Sequence, residues 1–255
     1  MHKAWLSACF FIFLGYHCHP QTTKPGGGNS TPGNKPEKTI LFSGYEWVVR
    51  NTNVKQGPGP NYFNERCVWV DNNGFLHLII QKDSATGEWL SAEVTTKKSF
   101  GFGEYEFAVE GAVDKLDKNI VLGLFNYSGN DGLDEIDIEF ARWGKSIYPN
   151  LNYTVWPAEK QFKNYSFEKE FSMPGLYSTH RFYWKSDSII FTSLDGIPAN
   201  EQSVIAKNIC TSPPSSISRV NMPVHINLWL FDGNPPDDKK TVELVIRAFV
   251  FKGPK

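Results

Sequence analysis

The sequence predicts an all-β protein, a two-layer antiparallel sandwich, from three observations. Short runs rich in β-branched and aromatic residues alternate with turn signals along most of the chain. No helical apolar period is sustained long enough to predict a helix. The chain has 255 residues, of which 40% are hydrophobic and 15% aromatic. It can therefore bury a full core, and a β-sandwich of this size is commonly one domain.

The first twenty residues have the pattern of an export signal. A short basic head, residues 1–3, precedes an almost wholly apolar run over residues 4–15, which is too short to span a bilayer. A first buried strand is the alternative, but no turn and no periodicity follow the run. The sequence therefore predicts an exported protein that is secreted, periplasmic or held at the cell surface. Lipid attachment at Cys18 is a further hypothesis.

Residues 21–38 are rich in Gly, Pro, Thr and Asn and contain no apolar anchor, a composition typical of a flexible linker. The folded domain is expected to cover residues 39–255. Its two cysteines, Cys67 and Cys210, leave two interpretations open. They form a disulfide, as in many exported proteins, or both are small buried hydrophobes.

Turn residues separate the predicted strands. Residues 66–71 and 74–81 flank an Asp-Asn-Asn-Gly turn and predict a hairpin whose inward face carries Leu76, Leu78 and Ile80. Further strands are predicted over residues 188–194, 224–231 and 241–251, the first two of which end at Asp-Gly pairs.

The charge balance argues for a neutral partner. The net charge of −1, from 26 basic and 27 acidic residues, produces no field strong enough to attract nucleic acid or an anionic membrane. Eight Trp, ten Tyr and nineteen Phe suit both a sheet core and stacking against sugar rings. The His17-Cys18-His19 cluster at the signal boundary has no second group of ligands, so no metal site is predicted.

The strongest functional signal lies in residues 132–143. Successive side chains of a strand point to opposite faces, so Glu135, Asp137 and Glu139 share one face and the apolar residues that alternate with them share the other. Two glutamates four apart have α-carbons roughly 13 Å apart, and by leaning together they bring their carboxyls to on the order of 5 Å, as in a retaining glycosidase. If the strand continues, Trp143 also lies on this face, with small Ala141 leaving space for a sugar.

Residues 104–110 have a similar pattern and show its limits. Glu104, Glu106 and Glu110 share a face, opposite an apolar stripe of Tyr, Phe and Val. An acidic face on an amphipathic strand is usually solvated surface. We therefore predict no function for this second strand.

The run DEIDIEF at residues 134–140 resembles the signature of glycoside hydrolase family sixteen, in the Glu-x-Asp-x-Glu form found in lichenases and laminarinase-like members. Further motifs follow in the family's order: residues 91–93 (SAE), 100–106 (FGFGEYE), 123–127 (GLFNY), 180–184 (HRFYW) and 227–229 (NLW). The resemblance covers roughly residues 42–251. It implies a concanavalin-like jelly roll of two curved antiparallel sheets, with the acidic strand on the concave face.

The resemblance also implies a mechanism. Glu135 would be the nucleophile, Glu139 the general acid and then base, and Asp137 the residue that orients the nucleophile. The implied reaction is endo-hydrolysis of a β-linked polysaccharide, a β-glucan, with retention through a glycosyl-enzyme intermediate. Neighbouring carboxylates raise the pKa of a proton donor, as this division of roles requires.

Five residues match family positions that line the cleft or bind sugar hydroxyls. They are Phe125, Tyr127, Asn152, Asn227 and Trp229. Together with Trp143 they form the predicted substrate-binding set. Structural alternatives are open: Asn227 capping a turn, and Phe125 or Trp229 in the core.

Several departures from the family pattern limit what can be carried over. Lichenases have Trp at Leu133 and Arg at Thr95, so the polysaccharide is open. The family's calcium site uses an Asp where this chain has Ala248, which speaks against calcium, and no cofactor is expected. Arg142 either meets an anionic sugar or anchors a loop.

A monomer is expected for this protein. A second class of function is a sandwich that binds polysaccharide without cleaving it. In that case the acidic strand is only a polar wall. The intact Glu, Asp and Glu favour the hydrolase, because a binding module does not need both glutamates.

Overall fold

The computed structural model describes residues 37–197 and 203–254. The predicted export signal, the hypothetical lipid site at Cys18 and the predicted linker up to residue 36 lie outside the described residues. Lys38, the last residue of the predicted linker, is already anchored, because its Nζ donates to the carbonyl oxygens of Glu65 and Val68, each at 2.8 Å. Among the described residues, no helix is long and apolar enough to cross a membrane.

The described chain forms sixteen strands and four short 3₁₀ turns. The strands are β1 Thr39–Phe42, β2 Tyr45–Val49, β3 Tyr62–Phe63, β4 Val68–Val70, β5 Leu76–Lys82, β6 Trp89–Phe100, β7 Gly103–Glu110, β8 Ile120–Tyr127, β9 Glu135–Phe140, β10 Leu151–Trp156, β11 Tyr165–Lys169, β12 Tyr177–Trp184, β13 Ile189–Asp195, β14 Val204–Cys210, β15 Met222–Leu230 and β16 Val242–Lys252. The 3₁₀ turns are Glu65–Cys67, Val113–Lys115, Pro214–Ser216 and Phe231–Gly233.

The strands form two sheets. The front sheet has the order β11-β10-β9-β8-β15-β6, and β2 and β1 continue it beyond β6. The back sheet has the order β5-β16-β7-β12-β13-β14, with β4 beside β5. Pairing between the end of β5 and the start of β6 connects them. All pairings are antiparallel except that of the two-residue β3 with β6. The predicted all-β antiparallel sandwich is confirmed.

The main core lies between the two sheets. On β9, the apolar residues Ile136, Ile138 and Phe140 are buried in it. Phe140 meets the ring of His180 on β12 edge-on at 4.7 Å between centroids. Tyr153 of β10 stacks on Phe191 of β13 at 4.6 Å. These contacts leave the alternate, acidic side chains of β9 on the outer surface of the front sheet, which we call the site face.

The hairpin predicted around residues 71–74 forms between β4 and β5, and its inward side chains Leu76, Leu78 and Ile80 are fully buried. Its first strand is shorter than expected because Glu65–Cys67 forms a 3₁₀ turn. The two interpretations of the cysteines are resolved, since Cys67 and Cys210 are both free and buried. They act as small apolar residues, and burial raises the pKa of the Cys67 thiol to about 11.

Candidate active site

The strand register arranges the site face in rows that run across the front sheet. The Glu139 row contains Asn152, Glu139, Gly123, Asn227 and Glu93; the Asp137 row contains Thr154, Asp137, Phe125, His225 and Thr95; the Glu135 row contains Trp156, Glu135 and Tyr127. Directly opposed residues of neighbouring strands point to the same face. The adjacent strands β8 and β10 and the more distant β15 and β6 therefore bring their polar and aromatic side chains to the same face as the acids of β9.

The three acids lie side by side on the site face, and the middle one is buried. Asp137 is only 4% exposed, and Glu135 and Glu139 on either side of it are half-buried. None of the three forms an ion pair with Lys or Arg in the described part of the chain. Buried carboxyls without a cation hold their protons more tightly, because burial and like charges both disfavour ionisation.

The pKa values of the three acids follow from this setting. Burial raises the pKa of Glu139 to about 8, and the charge of Glu135 adds to the effect. Burial also raises the pKa of Glu135, to about 7, but a hydrogen bond from Asp137 opposes the shift. The pKa of Asp137 is raised well above its usual range by burial and by both glutamates. Burial thus favours the protonated form of all three acids, and the hydrogen bond with Asp137 opposes this effect at Glu135.

Two neighbours complete the Glu135 end of the strand. The indole of Trp156, opposite Glu135, hydrogen-bonds to Asp137. The hydroxyl of Tyr127 donates to Asp131 at 2.6 Å. Burial raises the pKa of Tyr127, and the bond to Asp131 raises it further, so the phenol stays a neutral donor. Sequence reasoning missed Trp156 and Asp131, because only the pairing of β9 with β10 and the loop after β8 bring them to the acids.

Asn227 has an unused acceptor in the site. Its side chain is 3% exposed, and its Oδ1 is buried with no hydrogen-bond partner among the described residues. Gly123 lies between Asn227 and Glu139 in the row, and a Cβ there would approach Oδ1 to 2.5 Å. The missing side chain of Gly123 therefore leaves room for the amide of Asn227, whose Oδ1 is buried over the glycine beside the acids.

Trp143 reaches the site face by a different route from the predicted one. Strand β9 ends at Phe140, and Trp143 lies beyond it with φ of 50°, so strand alternation does not place its ring. Instead its Nε1 donates to Oδ1 of Asn152 at 3.2 Å. The amide nitrogen of Asn152 in turn donates to the carbonyl of Ala141. The described contacts of Asn152 hold Trp143 and the chain after β9.

The space predicted at Ala141 is absent. Ala141 is 2% exposed and belongs to a small apolar cluster with Phe63, Val121 and Trp229, against which Trp143 and Phe231 pack. Trp229 is on the site face by register but only 4% exposed. Trp229 packs within this cluster, next to the Glu139 row. Phe125 and Tyr127, by contrast, are half-buried on the open part of the face.

Arg142 anchors the loop that follows β9. Its Nη1 donates to the carbonyl of Tyr148 at 2.5 Å, and both terminal nitrogens bind the carboxylate of Glu170. A guanidinium engaged in this way is committed to loop geometry. Of the two interpretations drawn from the sequence, loop anchoring is the one that the contacts support.

On the other side of the acids lies a polar wall from β6 and β15. Glu93 forms an ion pair with Arg50 at 2.7 Å and lies 3.4 Å from His225. Neither Arg50 nor His225 was predicted from the sequence. The sequence signal for His225 is its position two residues before Asn227, because strand alternation puts both side chains on one face.

The described residues contain no group of three His, Cys, Asp or Glu side chains that could hold a metal ion. The expectation that no cofactor takes part stays a prediction.

The chain is similar in sequence to known proteins. The chain matches the family model for glycosyl hydrolases family 16 over residues 59–242. Two β-glucanases of Acetivibrio thermocellus are each 27% identical to it over 212 residues, which cover 78% of this chain. The chain spans 60% of the length of these relatives.

Solved structures with the same fold include two that are titled glucanases and one that is titled a pseudo β-1,3-glucanase. The β-glucanase of Bacillus licheniformis covers 87% of this chain and is itself covered to 99%, with a TM-score of 0.63 at 18% identity. A lichenase from a mouse hindgut metagenome covers 86% of this chain and is covered to 99%, with a TM-score of 0.61 at 19% identity.

A Mycobacterium tuberculosis protein titled an immunostimulatory antigen and pseudo β-1,3-glucanase covers 82% of this chain and is covered to 91%, with a TM-score of 0.62 at 17% identity. The jelly-roll arrangement is thereby confirmed, while the fold alone does not establish catalysis. Because the family model matches most of the chain, the protein belongs to glycosyl hydrolases family 16.

Proposed function

We propose that this protein is a retaining, endo-acting glycoside hydrolase that cleaves a β-linked polysaccharide, a β-glucan. One observation carries the proposal: three carboxyls lie side by side on one face of β9 with no basic partner in the described part of the chain, and burial raises the pKa of each. A structural strand gains nothing from buried like charges, whereas a double displacement needs one ionised and one protonated carboxyl.

In the first step Glu135 attacks the anomeric carbon while Glu139 gives its proton to the glycosidic oxygen. The bond to the leaving sugar breaks, and an ester links the remaining sugar to Glu135. The hydrogen bond from Asp137 stabilises the ionised Glu135 before attack and the carboxylate that forms again later. In the second step Glu139 removes a proton from water, the water oxygen attacks the anomeric carbon, and Glu135 is released with net retention.

The position of β9 supports endo cleavage. Two strands, β10 and β11, continue the front sheet on one side, and β8, β15 and β6 continue it on the other. A polysaccharide lying along the rows can therefore extend in both directions from the acids. The family relatives named β-glucanase support a glucan, and the neutral side chains of Asn152 and Asn227 on either side of Glu139 suit uncharged sugar hydroxyls.

The N-terminal residues support export as part of the same proposal. A polysaccharide is too large to enter a cell intact, so an enzyme that cuts it internally must reach it outside. The basic and apolar pattern of residues 1–20 is that of an export signal. Expression of the full chain with and without residues 1–20, followed by detection in medium and cell fractions, tests this point.

The central experiment is incubation of the purified protein with laminarin, lichenan, xyloglucan and galactans, followed by assay of new reducing ends. Cleavage of a β-glucan, absent in the Glu135→Gln variant, is the expected result. NMR of the first product should show the anomer of the substrate. Retention on a polysaccharide column without new reducing ends would instead indicate a non-catalytic binding protein, and the inverted anomer would refute the assigned mechanism.

A further inference from the structure

We propose that His225 is a sugar-binding residue that determines specificity, because its Nε2 forms a hydrogen bond with a hydroxyl of a sugar unit bound beside the cleaved bond. This inference rests on the proposed function and extends it to a part of the site face that lies over β15 and β6. It concerns which polysaccharide fits the site, and it assigns His225 no part in bond cleavage.

Packing holds the imidazole ring in one orientation. His225 stands in the Asp137 row, and its ring stacks on Phe125 with 4.9 Å between centroids and 20° between planes. The ring of Tyr127 meets it at 6.0 Å. Only 13% of the side chain is exposed. A polar ring held between aromatic neighbours loses little conformational freedom when it binds a ligand.

The contacts of Nδ1 determine which nitrogen carries the proton. Nδ1 lies 3.0 Å from Oγ1 of Thr95 and 3.4 Å from Oε1 of Glu93. Although burial opposes ionisation of Glu93, the hydrogen bond from His225 and the charge of Arg50 lower the pKa of its carboxyl. An ionised carboxylate only accepts, so Nδ1 carries a proton and donates it toward Glu93. Nε2 is the other hydrogen-bonding atom of the ring.

The second ring nitrogen, Nε2, is available to a ligand. Nε2 of His225 has no hydrogen-bond partner among the described residues, and it is not one of their fully buried unsatisfied atoms. It therefore meets the solvent on the site face. His225 and Asp137 are two strands apart, which corresponds to roughly 10 Å. This is too far for proton transfer at the cleaved bond but suits a neighbouring sugar.

The test compares two histidines with matched chemistry. The His225→Phe variant keeps a ring to stack on Phe125 and removes both ring nitrogens. His77→Phe is the control, since His77 also pairs with a carboxylate through Nδ1, at 2.7 Å from Glu243, and stacks on Trp69 at 4.7 Å, but lies on the back sheet. Initial rates on the cleaved polysaccharide give kcat and KM for each, and melting temperatures report folding.

We expect His225→Phe to raise KM on the polysaccharide roughly three- to tenfold, the effect of losing one neutral hydrogen bond, with kcat nearly unchanged. An aryl glycoside too short to reach β15 should show no change, and His77→Phe should match the wild type on both substrates. His225→Gln, whose side-chain oxygen can accept, should recover part of the loss. Equal losses on long and short substrates would overturn the inference, as would an unchanged KM.

The outcome stays informative if the wild type cleaves nothing, a result that counts against the proposed function. Affinity electrophoresis in gels containing laminarin or lichenan then measures binding directly. Weaker retardation of His225→Phe than of wild type and His77→Phe supports the sugar contact. Equal retardation of all three, or none, overturns it. If His225→Phe does not fold, the same comparison is made with His225→Gln and His77→Gln, for which a smaller loss of binding by His225→Gln alone is expected.

Discussion

Strands β7 and β9 each carry three carboxylates on one face, and the surroundings of these carboxylates are opposite in charge pairing. On β7 each acid has a cation: Glu104 pairs with Lys252, Glu106 with Arg181 and Glu110 with Arg247, at 2.6 to 2.8 Å. The side chains of these acids are 24% to 31% exposed. On β9 the acids have no basic partner in the described chain, and Asp137 is 4% exposed.

The difference separates a structural acidic strand from the strand that we propose is catalytic. Neighbouring strands β12 and β16 supply the cations for β7, so its charges are neutralised in place. The neighbours of β9 supply Gly123, Phe125, Asn152 and Thr154 instead. Unpaired carboxyls then change pKa, which prepares them for proton transfer. The partner strands, rather than the acidic pattern, decide the role.

The largest contrast is expected from removing the nucleophile. Glu135→Gln should lower kcat on the polysaccharide by about 10⁴-fold or more, because no covalent intermediate can form. The matched change on the other strand, Glu106→Gln, should leave kcat within about twofold of wild type. Reducing-end assays on both variants measure this. A Glu135→Gln variant with substantial activity would end the assignment of β9 as the catalytic strand.

The next contrast concerns the proton donor. Glu139→Gln should lower the rate on polysaccharide by about 10²- to 10⁴-fold, the usual contribution of general acid catalysis. An aryl glycoside with a nitrophenol leaving group needs no protonation, so formation of its glycosyl-enzyme should be much less affected. Pre-steady-state release of nitrophenol distinguishes the two steps. An equal loss on both substrates would contradict the role of Glu139 as acid.

A smaller contrast is expected in thermal stability: a Glu-to-Gln change should stabilise the protein on β9 and destabilise it on β7. Glu139 holds its proton to about pH 8 when folded but ionises near the usual glutamate pKa of 4.5 when unfolded. Its favourable contribution is thus present below about pH 4.5 and is lost as pH rises through 8. Glu139→Gln should therefore raise the melting temperature at pH 8.5 relative to wild type, and less so at pH 5.

On β7 the corresponding change should destabilise. Glu106→Gln removes a partly buried ion pair with Arg181, which is worth at most about 1 kcal/mol, and should lower the melting temperature slightly at both pH values. Thermal unfolding of the two variants and wild type at pH 5 and 8.5 provides the comparison. Destabilisation by Glu139→Gln at pH 8.5 would mean that its carboxyl is not strained in the folded protein.

The smallest effect concerns His180, which lies between the two strands. It pairs with Phe107 of β7 and contacts Phe140 of β9, and burial lowers its pKa to about 3. The unfolded chain takes up a proton near pH 6.5, whereas the folded protein does not until about pH 3. Stability should therefore decrease as pH falls through this window. Chemical denaturation of wild type and His180→Gln tests this, because the variant should show a shallower decrease between pH 6.5 and 4.5.

Much of the fold could be predicted because its signals are local. The alternation in Leu76, Leu78 and Ile80 and the turn before them depend on adjacent residues, and they form as expected. The common face of Glu135, Asp137 and Glu139 follows from the same rule. Trp143 shows where this rule stops: alternation holds only while the strand continues, and β9 ends before it.

The sequence by itself determined that acids and apolar residues separate on β9, since the geometry of a strand leaves no other arrangement. Only the tertiary structure decided that these acids lack cations while those of β7 have them. It also brought Arg50, Glu93 and His225 together beside the site. The physical reason is that pairing register between distant strands depends on packing of the whole sandwich, which no local pattern of residues encodes.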